Sequence, residues 1–350
     1  MNESLHSKAF KSALTGTDLT VKSLTNAPSE FNNTLLNLAY CPVAYLPEMI
    51  RYQIKYWGEK ERSIADYSLI FYHENVPCGI WPISIMIKNN GRTFIGSNGG
   101  SLLPPLFIHG LPERTIKNLS KKSIFFLKKL SQILDVDQII VTEPFLGKIG
   151  VTEWFGTILQ HSSNFSNDYY SYLSMDRPLL AIKSGFRKSY KPLISEANKL
   201  WIVEAYEKVS LKVWSEFKEL HYIVAGRATR SSVSWDIQFD SINVGCAFLI
   251  VLRDDFGSMV GGGLFYTTKQ EGLYAVGAYK RELFDKPLGH LVQSAAIEVM
   301  HKKNISWYHI GKSNYEHEIP IPSPKEMNIS LFKQGFRSHL VPQNNVIFFP

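Results

Sequence analysis

Residues 247–279 read AFLIVLRDDFGSMVGGGLFYTTKQEGLYAVGAY and divide into three strand-length runs at 247–253, 258–267 and 272–278. Asp254-Asp-Phe-Gly257 supplies a hairpin turn between the first two, so the stretch reads as an antiparallel meander. A polar turn follows, then a helix over 289–301 and a strand over 307–310. After a Pro-rich loop come a short helix near 326–333 and a terminal strand over 345–349. Upstream lie a helix over 186–199 with a basic start (Arg187, Lys188, Lys191), a strand over 201–205, and helices over 211–224 and 234–243.

The first half repeats this plan without repeating residues. A helix is expected over 46–57, strands over 67–72, 80–87 and in the Gly-interrupted stretch 94–107, and a long basic amphipathic helix over 113–134. A strand over 138–142, a helix over 154–159 and an extended run over 169–173 complete it. The expected class is α+β: two tandem domains, each a mostly antiparallel sheet flanked by helices. Residues 1–30 are rich in Ser, Thr, Asn and Lys and are expected as an irregular N-terminal segment, ahead of domains at 31–176 and 177–350.

Composition narrows the function. Of 350 residues, 45% are hydrophobic and 20% charged, a globular balance that excludes a disordered chain. Basic residues number 38 against 31 acidic, a net charge of +7. The second half carries more of the excess, 22 basic against 17 acidic in 176–350, and is the expected home of an anionic partner. The charge is spread out, so DNA is not expected as a partner. Three cysteines (Cys41, Cys78, Cys246) without a C-x-x-C spacing argue against a disulfide framework and a zinc finger. No metal site is expected. The first twenty residues carry no apolar core of a secretory signal, and no apolar run reaches the ~18 residues of a membrane span. A cytoplasmic protein is expected.

The order meander, polar turn, helix, strand resembles the core of the GNAT acyltransferases, in which the meander splays open around an acyl donor. In that core a Gly-rich turn leads into the main helix and holds a pyrophosphate on backbone N–H groups. Here the turn is Arg281-Glu-Leu-Phe-Asp-Lys-Pro-Leu-Gly-His290, with Gly289 alone near a useful position. Three stretches are more similar to the Fem-type branch of the superfamily, the aminoacyl-tRNA-dependent peptidyltransferases of cell-wall synthesis and their FemAB-like relatives. They are Phe186-Arg-Lys-Ser-Tyr190 with its helix; Tyr274-Ala-Val-Gly-Ala-Tyr279 continuing through Pro287-Leu-Gly-His-Leu291 to Trp307-Tyr-His-Ile-Gly311; and Ile329-Ser-Leu-Phe-Lys-Gln-Gly-Phe336, which looks like the Fem signature F-K-x-G-F. Together they span roughly residues 185–340.

The resemblance implies two GNAT-like domains and an N-acyl or aminoacyl transferase. It would act on an amino group of an anionic acceptor, such as a nucleotide-linked or surface-glycan sugar in polysaccharide or cell-envelope assembly. The donor, aminoacyl-tRNA or acyl-CoA, would be a co-substrate rather than a resident cofactor. The alternative is a non-catalytic Fem-like protein that recognises a glycan intermediate or a partner enzyme.

Acyl transfer to an amine needs a cation or N–H donors at the oxyanion and an acceptor for the amine's proton. Lys333 of the F-K-x-G-F run is the candidate cation, against a reading as a solvated helix lysine; the motif lysine of the family faces the active site. His290, at the start of the main helix, is the candidate base. Arg227 and Arg230 flank a hydroxyl-rich turn and suit a phosphate or carboxylate. Trp235 either stacks on a sugar or base or belongs to the core. In the loop after the last core strand, Tyr315, Ser323 and Lys325 are candidate contacts to a sugar or phosphate. The spacing Ser323-x-x-Glu326 is also that of a capping box.

Overall fold

The computed structural model describes residues 2–350 and contains two compact units, Met1–Asp168 with Gln343–Pro350, and Tyr169–Pro342. The first unit begins with α1 (Asn2–Leu14), β1 (Thr20–Ser23), α2 (Pro28–Leu36) and α3 (Pro47–Gly58). Strands β2 (Ser63–Asp66), β3 (Leu69–His73), β4 (Val76–Trp81), β5 (Ser84–Ile87), β6 (Thr93–Gly96) and β7 (Leu106–Phe107) follow. Then come α4 (Glu113–Leu134), β8 (Ile139–Glu143), α5 (Glu153–Leu159) and β9 (Ser162–Ser174), whose later residues enter the second unit. That unit continues with α6 (Leu179–Ser184), α7 (Tyr190–Leu200), β10 (Ile202–Tyr206), α8 (Leu211–Ala225), α9 (Ser232–Asn243), β11 (Ala247–Arg253), β12 (Met259–Thr267) and β13 (Glu271–Tyr279). Helix α10 (Leu288–Lys302), β14 (Trp307–Ser313), α11 (Pro324–Gln334) and β15 (His339–Phe348) close the chain.

The first unit holds two small antiparallel sheets, β1-β3-β4-β7 and β2-β5-β6. Helix α4 buries Leu119, Ile124, Phe126, Leu127 and Leu130 and leaves Lys117 and Lys121 in water. That is the amphipathic division its spacing predicts. Two expectations are corrected. Of the segment expected to be irregular over 1–30, Met1 lies outside the described residues and the rest is not irregular: α1 buries Ala9, Phe10 and Ala13, with the Phe10 ring 5.0 Å from Phe126 and 4.8 Å from Tyr67. The single strand expected over 80–87 is two strands in different sheets. The break falls at Pro82, which has no N–H to give a ladder.

The domain limits also differ from 176/177 and 350. Residues 169–174 pair antiparallel with β14, so the second unit begins earlier. Residues 344–348 pair antiparallel with β8, and Val346 and Phe348 are buried in the first unit's core. Beside them β8 ends on Glu143, which is 3% exposed. Its carboxylate accepts from the Thr152 N–H (2.6 Å) and hydroxyl (3.1 Å), while the Thr152 hydroxyl caps α5 by accepting from the Phe155 N–H. No cation pairs with Glu143 among the described residues, and burial pushes its carboxyl up to about 7.

In the second unit β10, β11, β12 and β13 run antiparallel in sequence, so the expected meander is present. Helix α10 covers one face with Leu291, Val292, Ala296, Ile297 and Met300, packed with Phe248, Ile250, Leu252 and Phe265. The Gly261-Gly-Gly263 run lies inside β12, where a methyl on Gly262 would meet the Ile250 carbonyl at 2.8 Å and the Phe217 ring at 3.1 Å. Glycine there admits α8 against the sheet.

Candidate active site

The meander opens at its last strand. β13 and β14 run parallel for three residue pairs only, from Glu271 opposite Trp307 to Leu273 opposite His309. Just beyond, Ala275 bulges out of β13, because Leu264 faces Val276 while the next residue, Phe265, faces Tyr274. A cleft of about 1340 Å³ lies here, formed by β13, the first turn of α10, the end of α8 and one face of α11.

Five cations line the cleft (Arg227, Arg281, Lys286, Lys325 and Lys333), and among the described residues no carboxylate does. Lys286 is 3.5 Å from Asp285; the other four have no ion-pair partner among the described residues. The Lys333 ammonium is pushed below the usual lysine range by burial. The hydroxyls of Tyr274 and Tyr279, which also line the cleft, lie 3.0 Å apart in a hydrogen bond.

His290 lies at the start of α10 with its ring edge-on to Tyr190 (4.4 Å between centroids) and to Phe332 (5.1 Å). Burial, and next the Arg187 charge, push its imidazole down to about 4. It is therefore neutral and able to accept a proton throughout the neutral range, although only a weak base.

The structure brings Arg227, His290, Lys325 and Lys333 together in this cleft. The other four residues singled out from sequence lie elsewhere. Arg230 does not line the cleft: its guanidinium stacks on the Trp235 ring at 4.6 Å and donates to the Gln238 amide oxygen at 2.8 Å. Trp235 is 4% exposed and packs against Trp214, Phe217 and His221, so stacking on a ligand is replaced by a place in the core. Tyr315 packs edge-on to Tyr169 at 5.8 Å. Ser323 caps α11 in a full capping box with Glu326, which occupies its hydroxyl. Sequence reasoning missed Arg281, Lys286, Tyr274 and Tyr279. The two tyrosines sat in the quoted Fem-like stretch, but nothing local distinguished them from strand residues.

The F-K-x-G-F run is tied down from one side. The Tyr190 hydroxyl donates to the Phe332 carbonyl at 2.9 Å and Arg187 donates to the Leu331 carbonyl at 3.1 Å. Gly335 is the tight point, since a methyl there would fall inside the Tyr190 ring. Gly335→Ala should therefore cost about 1–3 kcal/mol in urea unfolding, as overpacking does, and should disturb the turn that carries Lys333. An unchanged urea midpoint would show that Tyr190 swings aside freely.

Neither a family model nor a curated protein sequence matches this chain. Solved structures do match in fold. A crystal structure of FemX aligns at a TM-score of 0.71 and 11% identity, covering 93% of this chain and 96% of that one. The structure of L-PGS from Bacillus licheniformis aligns at 0.54 and 12% identity, covering 92% and 91%. At such identity the likeness is one of fold, and it extends over both units. The fold is similar to that of FemX over both units, and it is of the α+β class that the sequence implied, with mostly antiparallel sheets flanked by helices.

Proposed function

We propose that this Fem-type fold serves an N-acyl or aminoacyl transferase whose phosphate-bearing ligand lies in the cationic cleft of the second unit. The observation that carries this reading is Lys333, a partly buried ammonium without a carboxylate partner among the described residues, in a cleft beside β13 with four further cations. Burying a lone cation is unfavourable unless an anion joins it. The anion here is a ligand's.

In the reaction, an acceptor amine attacks the acyl carbonyl of the donor. The tetrahedral intermediate collapses to the amide with cleavage of the acyl–oxygen or acyl–sulfur bond, and the departing tRNA hydroxyl or coenzyme A thiol takes up the proton that the amine loses. Lys333 meets the oxyanion or the donor's phosphate, and the Tyr274–Tyr279 pair lies in the same cleft as a source of O–H donors. His290 takes the proton from the attacking amine. Arg227 and Lys325 bind the anionic part of donor or acceptor, the acceptor being a nucleotide-linked or surface-glycan sugar. The donor is a co-substrate, aminoacyl-tRNA or acyl-CoA. The weak basicity of His290 and the lack of a Gly-rich turn before α10 favour a second reading, a Fem-like protein that binds a glycan intermediate without turning it over.

Thermal-shift titration separates the two. Coenzyme A esters, aminoacyl-tRNA and nucleotide sugars are each added to wild type and to Lys333→Ala. A transferase should be stabilised by one acyl donor in wild type, and less so in the variant. Stabilisation by a nucleotide sugar alone would support the binding protein. Equal shifts in both proteins, or none, would overturn the assignment of the cleft.

A further inference from the structure

Lys333 projects from the last turn of α11 across β14, and the strand is shaped to receive it. A methyl on Gly311 would collide with Lys333 Nζ and come within 3.1 Å of Cε and 3.5 Å of Cδ, so the lysine stem and ammonium run directly over this residue. Gly311 also has φ +131, a backbone region that side chains disfavour. The cause is local: pairing with β9 slips between His309, opposite Tyr172, and Gly311, opposite Ser171, so Ile310 is an extra residue in the strand. Two residues back, the His309 ring stacks on Tyr172 (4.6 Å, 14° between planes) with its edge toward Tyr170 at 5.2 Å. Its Nδ1 is 3.9 Å from a Glu271 carboxylate oxygen, and its Nε2 is buried without a hydrogen-bond partner. Burial, and next the charge of Lys333, hold the ring neutral.

We infer that Gly311 and His309 form the seat of Lys333 and act as its positioning residues. The bulge allows a strand to present a bare backbone to a lysine stem, and the neutral ring beside it neither repels nor neutralises the ammonium. A lysine on a surface helix samples many rotamers, and holding it in one geometry ordinarily costs side-chain entropy. The seat removes most of those alternatives before a ligand arrives. This inference rests on the reading of Lys333 as the anion-binding cation of the cleft.

The test is a double-mutant cycle read with inorganic pyrophosphate by titration calorimetry. Gly311→Ala should weaken pyrophosphate about tenfold, as when one charge-assisted contact is lost. In a Lys333→Ala background the same substitution should have no further effect, because the residue it acts through is gone. An equal loss in both backgrounds would overturn the seat and mark Gly311 as structural. A second readout needs no ligand: the 13Cε resonance of Lys333, assigned with Lys333→Arg, should move to the position of an exposed lysine in Gly311→Ala. If that variant does not fold, His309→Leu serves in its place, and a resonance unmoved in the folded variant overturns the inference. Should Lys333→Ala leave pyrophosphate binding intact, the anion-site reading fails, while the resonance still decides the seat.

Discussion

Lys333→Ala should lower turnover by about ten- to a thousandfold, the range seen when a charge-stabilising donor is removed. The thermal midpoint should stay the same or rise slightly. Loss of a cation that supports a transition state acts on kcat; loss of one that grips the ground state acts on KM. Lys333→Arg distinguishes a point charge from a shaped one. The guanidinium is larger and planar and does not reproduce the path of the lysine stem close over Gly311, so the substitution should rescue little although the charge is kept. Steady-state kinetics with the donor found by thermal shift, alongside the melting curves of both variants, measure these effects. Activity retained in Lys333→Ala would leave the F-K-x-G-F run as a structural closure of the second unit.

Glu143→Gln should stabilise the first unit at alkaline pH. The carboxyl of Glu143 has a folded value of about 7 against an ordinary 4.5, because burial disfavours the carboxylate and the two bonds from Thr152 only partly compensate. Between those values the folded state holds the proton more tightly than the unfolded chain does. Stability linked to this group is therefore complete below about 4.5 and falls as pH rises through about 7. The gap of about 2.5 units corresponds to roughly 3–4 kcal/mol at most, since one unit is ~1.4 kcal/mol. Glutamine offers an acceptor to the Thr152 N–H and a donor to its hydroxyl and carries no charge. Urea titrations at pH 5 and pH 8 should show wild type losing stability between them and the variant losing much less. Parallel losses in both would place the pH sensitivity elsewhere.

The second unit was legible because its decisive contacts are close in sequence. Alternation in β11, β12 and β13, the Asp254–Gly257 turn and the apolar face of α10 are local patterns, and each gave its element to within a residue or two. The capping box at Ser323 was equally local. The fate of Arg230 was not. Its partners, Trp235 and Gln238, are five and eight residues away, but only the packing of α9 against α8 turns that loop inward rather than toward a ligand. The same holds for α1, whose Phe10 and Ala13 form an apolar face that polar composition masked. Arg281 and Lys286 read as an ordinary charged turn, because only the packing of α8, α10 and α11 beside β13 puts them on a cleft. The strand expected over 345–349 is there as the end of a longer one, His339–Phe348, but the sequence held no hint of its partner, because register across two hundred residues leaves no mark in sequence.

That last pairing sets an order of events. The strand that completes β8 is made only after the whole of the second unit, so the second unit is an insertion within the first. A nascent chain can finish the inserted unit from contiguous residues, while the unit begun earlier must wait with the edge of β8 open. Removal of residues 343–350 would leave the first-made half permanently short of Val346 and Phe348 in its core, even though the cleft and all its cations lie in the portion that remains.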